Sequence, residues 1–129
     1  MGWFERLRGA APSRDEAVMA EALEAARRED YAAALAAWEP LARAGHPRAQ
    51  NNIGAAFAEG LGVEADPALA YKWLKLSAEA GDPVGRRNLA ALYFRGDGVP
   101  QDDIEAMRLY RLAAQAGDGP GQDMLSWML

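Results

Sequence analysis

Side chains able to do covalent or acid–base chemistry are few in this chain. His46 is the only histidine, and it sits in the turn Gly45-His46-Pro47. Ser13, Ser77 and Ser126 are the only serines, and threonine and cysteine are absent. A serine nucleophile needs a histidine beside it and an acidic group to orient that histidine. Ser13 reads instead as a helix cap, and Ser77 occupies a small-residue packing position. The lack of cysteine excludes disulfides, thiolate metal sites and a cysteine nucleophile. No HExxH pair and no acidic loop of EF-hand spacing is present. Asp97, Asp102 and Asp103 belong to a helix-capping loop rather than a cation cage. The glycine loops Gly60–Val63 and Gly96–Val99 lack the lysine of a phosphate cradle and follow no strand. The expectation is a non-enzymatic chain with no catalytic residue, no metal and no cofactor.

What positions the remaining polar residues is a repeat of 36 residues. Gly45, Gly81 and Gly117 keep that step, as do Ala34, Ala70 and Ala106, and Asp30, Asp66 and Asp102. Ile53, Leu89 and Leu125 share it, with the pairs Asn52/Asn88, Gly60/Gly96, Gly62/Gly98 and Phe57/Tyr93. Glycines, alanines and large apolar residues held in one register mark a stacked repeat array. Such arrays usually present a binding surface.

The punctuation locates the helices. Ser13-Arg14-Asp15-Glu16 is a capping box opening a helix to about Arg28. Glu29-Asp30 makes a tight turn, Asp30 caps a helix over 31–44, and Gly45 ends it in the left-handed conformation. Pro47, Pro67 and Pro83 suit first helical turns, where a missing N–H costs nothing. Helices are predicted over 47–59, 67–80, 83–95 and 103–116, with a last helix running from Asp118-Gly119-Pro120 to Leu129. Each pair leaves an apolar flank bare, and stacking the pairs buries it. Ala70, Trp73, Leu74 and Ala78 form one such face, with Trp73 expected in the core. Leu125 and Leu129 are expected to pack inward.

The chain has 129 residues and a formal charge of −5. That length supports one domain able to bury roughly two-thirds of its unfolded surface. The acidic balance argues against nucleic-acid binding, which needs a basic face. No apolar run approaches the ~20 residues of a membrane span, and the N-terminus lacks the h-region of a secretory signal. A cytoplasmic protein is expected, or a periplasmic one if a signal peptide has been removed. Residues 1–12 form a separate tail. It is either a flexible or locally docked segment, or a weak membrane-surface or partner anchor built on Trp3, Phe4 and Leu7. The repeat domain spans 13–129, in units of about 13–45, 46–81 and 82–117 with a half unit 118–129.

Two stretches, Asn51–Gly85 and Arg87–Gly121, resemble Sel-one-like repeats, 36-residue relatives of tetratricopeptide repeats. The shared signature is Ile53-Gly54, Phe57, Gly60, Gly62-Val63, Asp66, Ala70, Trp73, Ala78 and Gly81 in the first stretch. In the second it is Leu89-Ala90, Tyr93, Gly96, Gly98-Val99, Asp102, Ala106, Ala113-Ala114 and Gly117. Residues 13–44 lack the glycine loop and stand closer to a tetratricopeptide unit. The resemblance implies an all-α fold, a short right-handed α-α superhelix of three helix–turn–helix pairs plus a terminal helix. It implies a scaffold or adaptor that holds a peptide segment or partner protein in its concave groove.

In such solenoids the first helix of each pair lines the concave face. Counting from the matched apolar positions places Arg48, Asn51, Ala55 and Glu59 there, then Val84, Arg87, Ala91 and Arg95, then Asp123 and Trp127. Arginine and asparagine on a groove wall can pair with the backbone or carboxylate of a peptide. Asn52 and Asn88 recur with the period and are expected to tie their helix to a neighbouring loop. The alternative function is self-assembly, with the open C-terminal end stacking on a second copy, so monomer and homodimer both remain open. Trp127 either points to the groove mouth or folds back as a cap.

Overall fold

The computed structural model describes residues 12–129. The tail residues Trp3, Phe4 and Leu7 lie outside the described residues. Among the described residues seven helices follow one another: α1 (Arg14–Arg27), α2 (Tyr31–Arg43), α3 (Pro47–Glu59), α4 (Pro67–Glu79), α5 (Pro83–Arg95), α6 (Asp103–Gln115) and α7 (Gly119–Met128). Pairs α1–α2, α3–α4 and α5–α6 form three units. Neighbouring helices pack on each other in chain order, and α3 also packs on α5. The result is an all-α repeat superhelix.

Local chemistry fixes the ends. Ser13 and Glu16 complete the capping box, each side chain meeting the other's backbone N–H. Asp30, Asp66, Asp82, Asp102 and Asp118 are N-caps, each accepting from the backbone N–H three residues on. His46 is a cap as well: its Nδ1 accepts from Ala49 N–H at 3.2 Å. Helices α2, α4 and α6 stop one residue earlier than expected, because Ala44, Ala80 and Ala116 serve as C-caps. The following glycines, Gly45, Gly81 and Gly117, are left-handed, with φ of 97°, 90° and 89°. The next N–H then reaches back to an orphan carbonyl, as Asp82 does to Ser77. One three-residue turn thus closes one helix and caps the next. The first unit uses the same turn between α1 and α2, with Glu29 at φ 61° in the glycine's place.

The longer loops have a different logic. Gly62 and Gly98 each lie against the first residue of the preceding unit's second helix. A Cβ on Gly62 would come 2.6 Å from the Tyr31 Cβ, and one on Gly98 would run into the Pro67 carbonyl. The second loop glycine is therefore a point of backbone approach between units.

Two core clusters meet at Phe57. One gathers Ala25, Ala34, Trp38, Ala42 and Ile53; the other gathers Ala70, Leu74, Leu89, Leu109 and Tyr110. Ala34, Ala70 and Ala106 are fully buried, which lets helix axes approach closely. The large residue plugging each unit sits four positions on, at Trp38, Leu74 and Tyr110. Trp73 is consequently only half-buried, contrary to expectation, since one residue along a helix turns the side chain by about 100°. At α7 the inward residues are Met124 and Met128, with Leu125 half-buried and Leu129 80% exposed. Leu129 fails to pack because, among the described residues, no second helix covers α7.

Candidate functional site: a cleft on the first helices

A cleft of about 420 Å³ opens where α3, α5 and α7 run side by side. Ala55, Ala58 and Glu59 of α3 form one wall, and Arg87, Ala91 and Arg95 of α5 form the other. Tyr110 and Leu74, the plugs of two units, reach it from the second helices, and Met124 and Pro120 close it at α7. Alanines at 55, 58 and 91 leave the room that longer side chains would fill. The floor is thus apolar and aromatic, and the rim carries two cations with Glu59 and Asp97.

Arg87, Arg95 and Tyr110 line the same cleft. Burial pushes the Tyr110 phenol above its ordinary value, while the Arg95 and Arg87 cations pull it back. Arg95 is exposed and forms no ion pair among the described residues. Arg87 is partly committed: its Nε donates to Asp118 Oδ2 at 2.9 Å and its Nη1 to Asn88 Oδ1 at 3.2 Å. Trp127 does not line the cleft; it is 71% exposed, with its ring edge-to-face on Phe94 at 5.7 Å. Phe94 itself lines the cleft.

Five residues expected on the groove wall do not line the cleft, and for Arg48 and Asn51 the structure shows what holds them elsewhere. Arg48 does not line the cleft; its Nε and Nη2 grip the Asp82 carboxylate at 2.9–3.2 Å. That carboxylate is already the cap of α5, so Arg48 ties the second unit to the third. Asn51 is 3% exposed and spent in the same way. It accepts from Asn88 Nδ2 at 2.8 Å and donates to Asn52 Oδ1 at 3.1 Å. Of the repeated asparagines, Asn88 thus joins α5 to α3 through Asn51, while Asn52 bonds Asn51 on its own helix. Val84 and Asp123 also lie off the cleft. Phe94, Tyr110 and Met124 were missed as lining residues. The available signal was Phe94, which follows the packing Tyr93 by one residue and so turns toward the cleft.

A further tie recurs at every junction. Gln50, Arg86 and Gln122 each donate to a carbonyl of the preceding second helix, at Ala42, Ala78 and Ala114. Among the described residues no group of three or more His, Cys, Asp or Glu gathers, and no helix is long and apolar enough to cross a membrane.

Repeat length, turn chemistry and stacking meet a family profile in two places: the Sel1 repeat matches residues 47–82 and 83–118. The chain belongs to the Sel1 repeat family. Its backbone is similar to that of a protective antigen of SLR fold from uropathogenic Escherichia coli, with a TM-score of 0.78 and 34% identity over 88% of this chain. It is also similar to a Sel1 repeat protein from Oxalobacter formigenes, with a TM-score of 0.77 and 27% identity over 85% of this chain. The chain spans 25% and 45% of the length of those two proteins. No curated protein sequence matches it. Sel1 repeats generally mediate protein interactions and are typically non-enzymatic.

Proposed function

We propose that this Sel1 repeat chain is a non-catalytic interaction module that holds an extended peptide segment in the cleft of α3, α5 and α7. The observation carrying this reading is the lining itself. An apolar floor of Tyr110, Phe94 and Met124 lies beside Arg95, a cation without a partner among the described residues. A peptide placing an apolar side chain on that floor and a carboxylate near Arg95 satisfies both, through a charge-assisted hydrogen bond. Ala55, Glu59, Arg87 and Ala91 shape the walls, and Trp127 offers a large amphipathic ring against Phe94. Arg48 and Asn51 have no part in it.

The test is an array of short synthetic peptides probed with the full chain and with an Ala91→Trp, Arg95→Glu double variant. Among the described residues neither belongs to an ion pair or the buried core, so the melting temperature stays within a few degrees. A set of acidic–apolar peptides bound by the parent and lost by the variant supports the reading. Identical peptide profiles for the two proteins would sink it.

A further inference from the structure

The charges lining the cleft are unevenly spent. Among the described residues the ionic side chains there are Glu59, Arg87, Arg95 and Asp97. Arg87 is neutralised by Asp118, the cap of α7, at 2.9 Å. Glu59, Arg95 and Asp97 are exposed, and among the described residues none of them forms an ion pair. The open charges are thus two carboxylates against one cation. A ligand carrying only carboxylates would meet Arg95 but would also face two like charges.

The repeat fixes where these groups stand. Glu59 and Arg95 hold one register position, a period apart, as the last residues of α3 and α5. Those helices pack on each other, so the two side chains stand at one level on opposite walls. Asp97 follows Arg95 by two residues, past the left-handed C-cap Gly96. Its loop rests on the start of α4, where Gly98 meets the Pro67 carbonyl, and Pro67 also lines the cleft. The three charges therefore gather at one end of the cleft. They all lie inside the two complete repeats, residues 47–82 and 83–118.

Resting on the cleft reading above, we propose that the bound segment is zwitterionic: an extended peptide with a lysine or arginine directed to Glu59 and Asp97 and an aspartate or glutamate directed to Arg95. Successive side chains of an extended chain point to opposite sides. The two charges therefore stand at an odd spacing, adjacent or three apart, beside the apolar residue that takes the floor. Glu59 and Arg95 set this specificity, and Asp97 tips the balance toward the cation.

The probe is a set of capped seven-residue synthetic peptides, each with Leu, Phe and one charge pair: Lys and Glu adjacent, Lys and Glu three apart, or Glu and Glu. Fluorescence anisotropy with the full chain gives the affinities at low salt, where charge preferences are least screened. A Lys–Glu peptide of one of the two spacings should bind at least tenfold more tightly than its Glu–Glu counterpart. Glu59→Lys leaves cations in excess and should reverse that order. Exchanging the charges, Glu59→Lys with Arg95→Glu, should restore it, since opposite charges again face each other. Asp97→Asn should narrow the preference without reversing it. These are exposed positions outside the core, so the variants should melt within a few degrees of the parent. Equal affinity for the two charge classes, no Lys–Glu binding at millimolar peptide, or a preference unmoved by Glu59→Lys overturns the proposal. Ala91→Trp separates this from the cleft itself. Peptides bound without charge preference but lost in Ala91→Trp would leave the cleft as the site and remove the zwitterionic ligand; peptides bound equally by the parent and Ala91→Trp would remove both.

Discussion

Where the second and third units meet, Tyr71 and Tyr93 cross edge to face at 6.0 Å and share a hydrogen bond between their hydroxyls at 3.1 Å. One repeat earlier the same two positions are Leu35 and Phe57. There an apolar cleft of about 330 Å³ remains, walled by Ile53, Val63, Leu69 and Trp73. The differences run through the whole junction. Leu69 becomes Glu105, bonded to Arg108, and Trp73 becomes Leu109. The cap His46 becomes Asp82, gripped by Arg48. At the first junction Trp38 Nε1 and Gln50 Oε1 are buried without a protein partner. At the second, the asparagine pair and the tyrosine pair are bonded. Backbone register, set by glycines and alanines, is common to both junctions. The chemistry filling it is not, so the period specifies where a residue stands and not what it does there.

The largest consequence concerns the aromatic and aliphatic residues at one repeat position. Leu109 is 3% exposed, and Leu109→Ala should cost about 2–5 kcal/mol, the transfer term plus a cavity. Trp73 is half-buried on the wall of an open cleft, where removal leaves no enclosed cavity. Trp73→Ala should cost roughly 2 kcal/mol, below the range for a buried tryptophan. Urea denaturation of the two variants measures both. A Trp73→Ala loss larger than that of Leu109→Ala would mean that the first junction is as tightly filled as the second.

Glycines come next. Gly81 is left-handed, and a Cβ there would meet only the Arg86 guanidinium at an ordinary 3.7 Å, so Gly81→Ala should cost about 1 kcal/mol. Gly98 has φ of +72° and also faces the Pro67 carbonyl, a backbone group that cannot swing aside. Gly98→Ala should cost at least about twice as much, the added part being a displaced junction. Gly62→Ala meets side-chain atoms of Tyr31 and Leu35, and should fall between the two. Equal costs at 81 and 98, from thermal melts, would remove the claim that the loop glycine exists for close approach.

Helix ends were legible because they are written in local chemistry: a proline at N1, an aspartate cap, a glycine two residues before the next helix. The stacking faces were legible because alanine and large apolar residues recur in one register. The polar ties were not. Helical counting gives the direction of Arg48 but not its reach, and a long side chain in the first turn of α3 extends to the cap of α5. Arg48 and Arg87 do not share a register position, although their targets Asp82 and Asp118 do, so the period concealed their common role. The carbonyl tie at 50, 86 and 122 was hidden by residue type, since glutamine, arginine and glutamine do not look like one repeated residue. The plug was misplaced by one position at Trp73 because size was weighed ahead of direction.

A smaller effect separates the two junctions by pH. Burial first, then the hydrogen bond shared with Tyr71, pushes the Tyr93 phenol up to about 12, with the Glu105 and Asp102 charges adding to it. The unfolded chain ionises near the ordinary 10.0. The contribution of this group is therefore complete below pH 10 and is lost as pH rises from 10 to 12. Tyr71→Phe should cost about 0.5–1.5 kcal/mol at pH 7 through the lost hydrogen bond. It should also bring the Tyr93 titration down from 12 without reaching 10, because burial remains. Phenolate absorbance follows the titration. A Tyr93 titration unmoved by the substitution would show burial alone at work, and the tyrosine pair would then be no more specific a joint than Leu35 and Phe57.

The smallest effect lies in the charged ties that the first junction lacks. Arg48 holds Asp82 through two nitrogens but leaves 46% of its side chain exposed. Arg87 holds Asp118 through Nε alone and is 27% exposed. Both aspartates keep their caps when the arginine is removed, at Gly85 N–H and Gly121 N–H, so neither carboxylate is stranded. Each arginine-to-alanine change should accordingly cost only about 0.5–1 kcal/mol. Geometry favours the Arg48 pair and burial favours the Arg87 pair, and salt distinguishes them. In 1 M salt the screening length falls to about 3 Å, and an exposed pair loses most of its attraction while a partly buried one keeps more. Arg48→Ala should therefore approach zero cost at 1 M salt, and Arg87→Ala should retain about half of its low-salt value. Should the two variants lose stability in parallel across the salt series, exposure would not be what sets the strength of these ties. Asp82 and Asp118 would then be acting at the junctions as helix caps and nothing more.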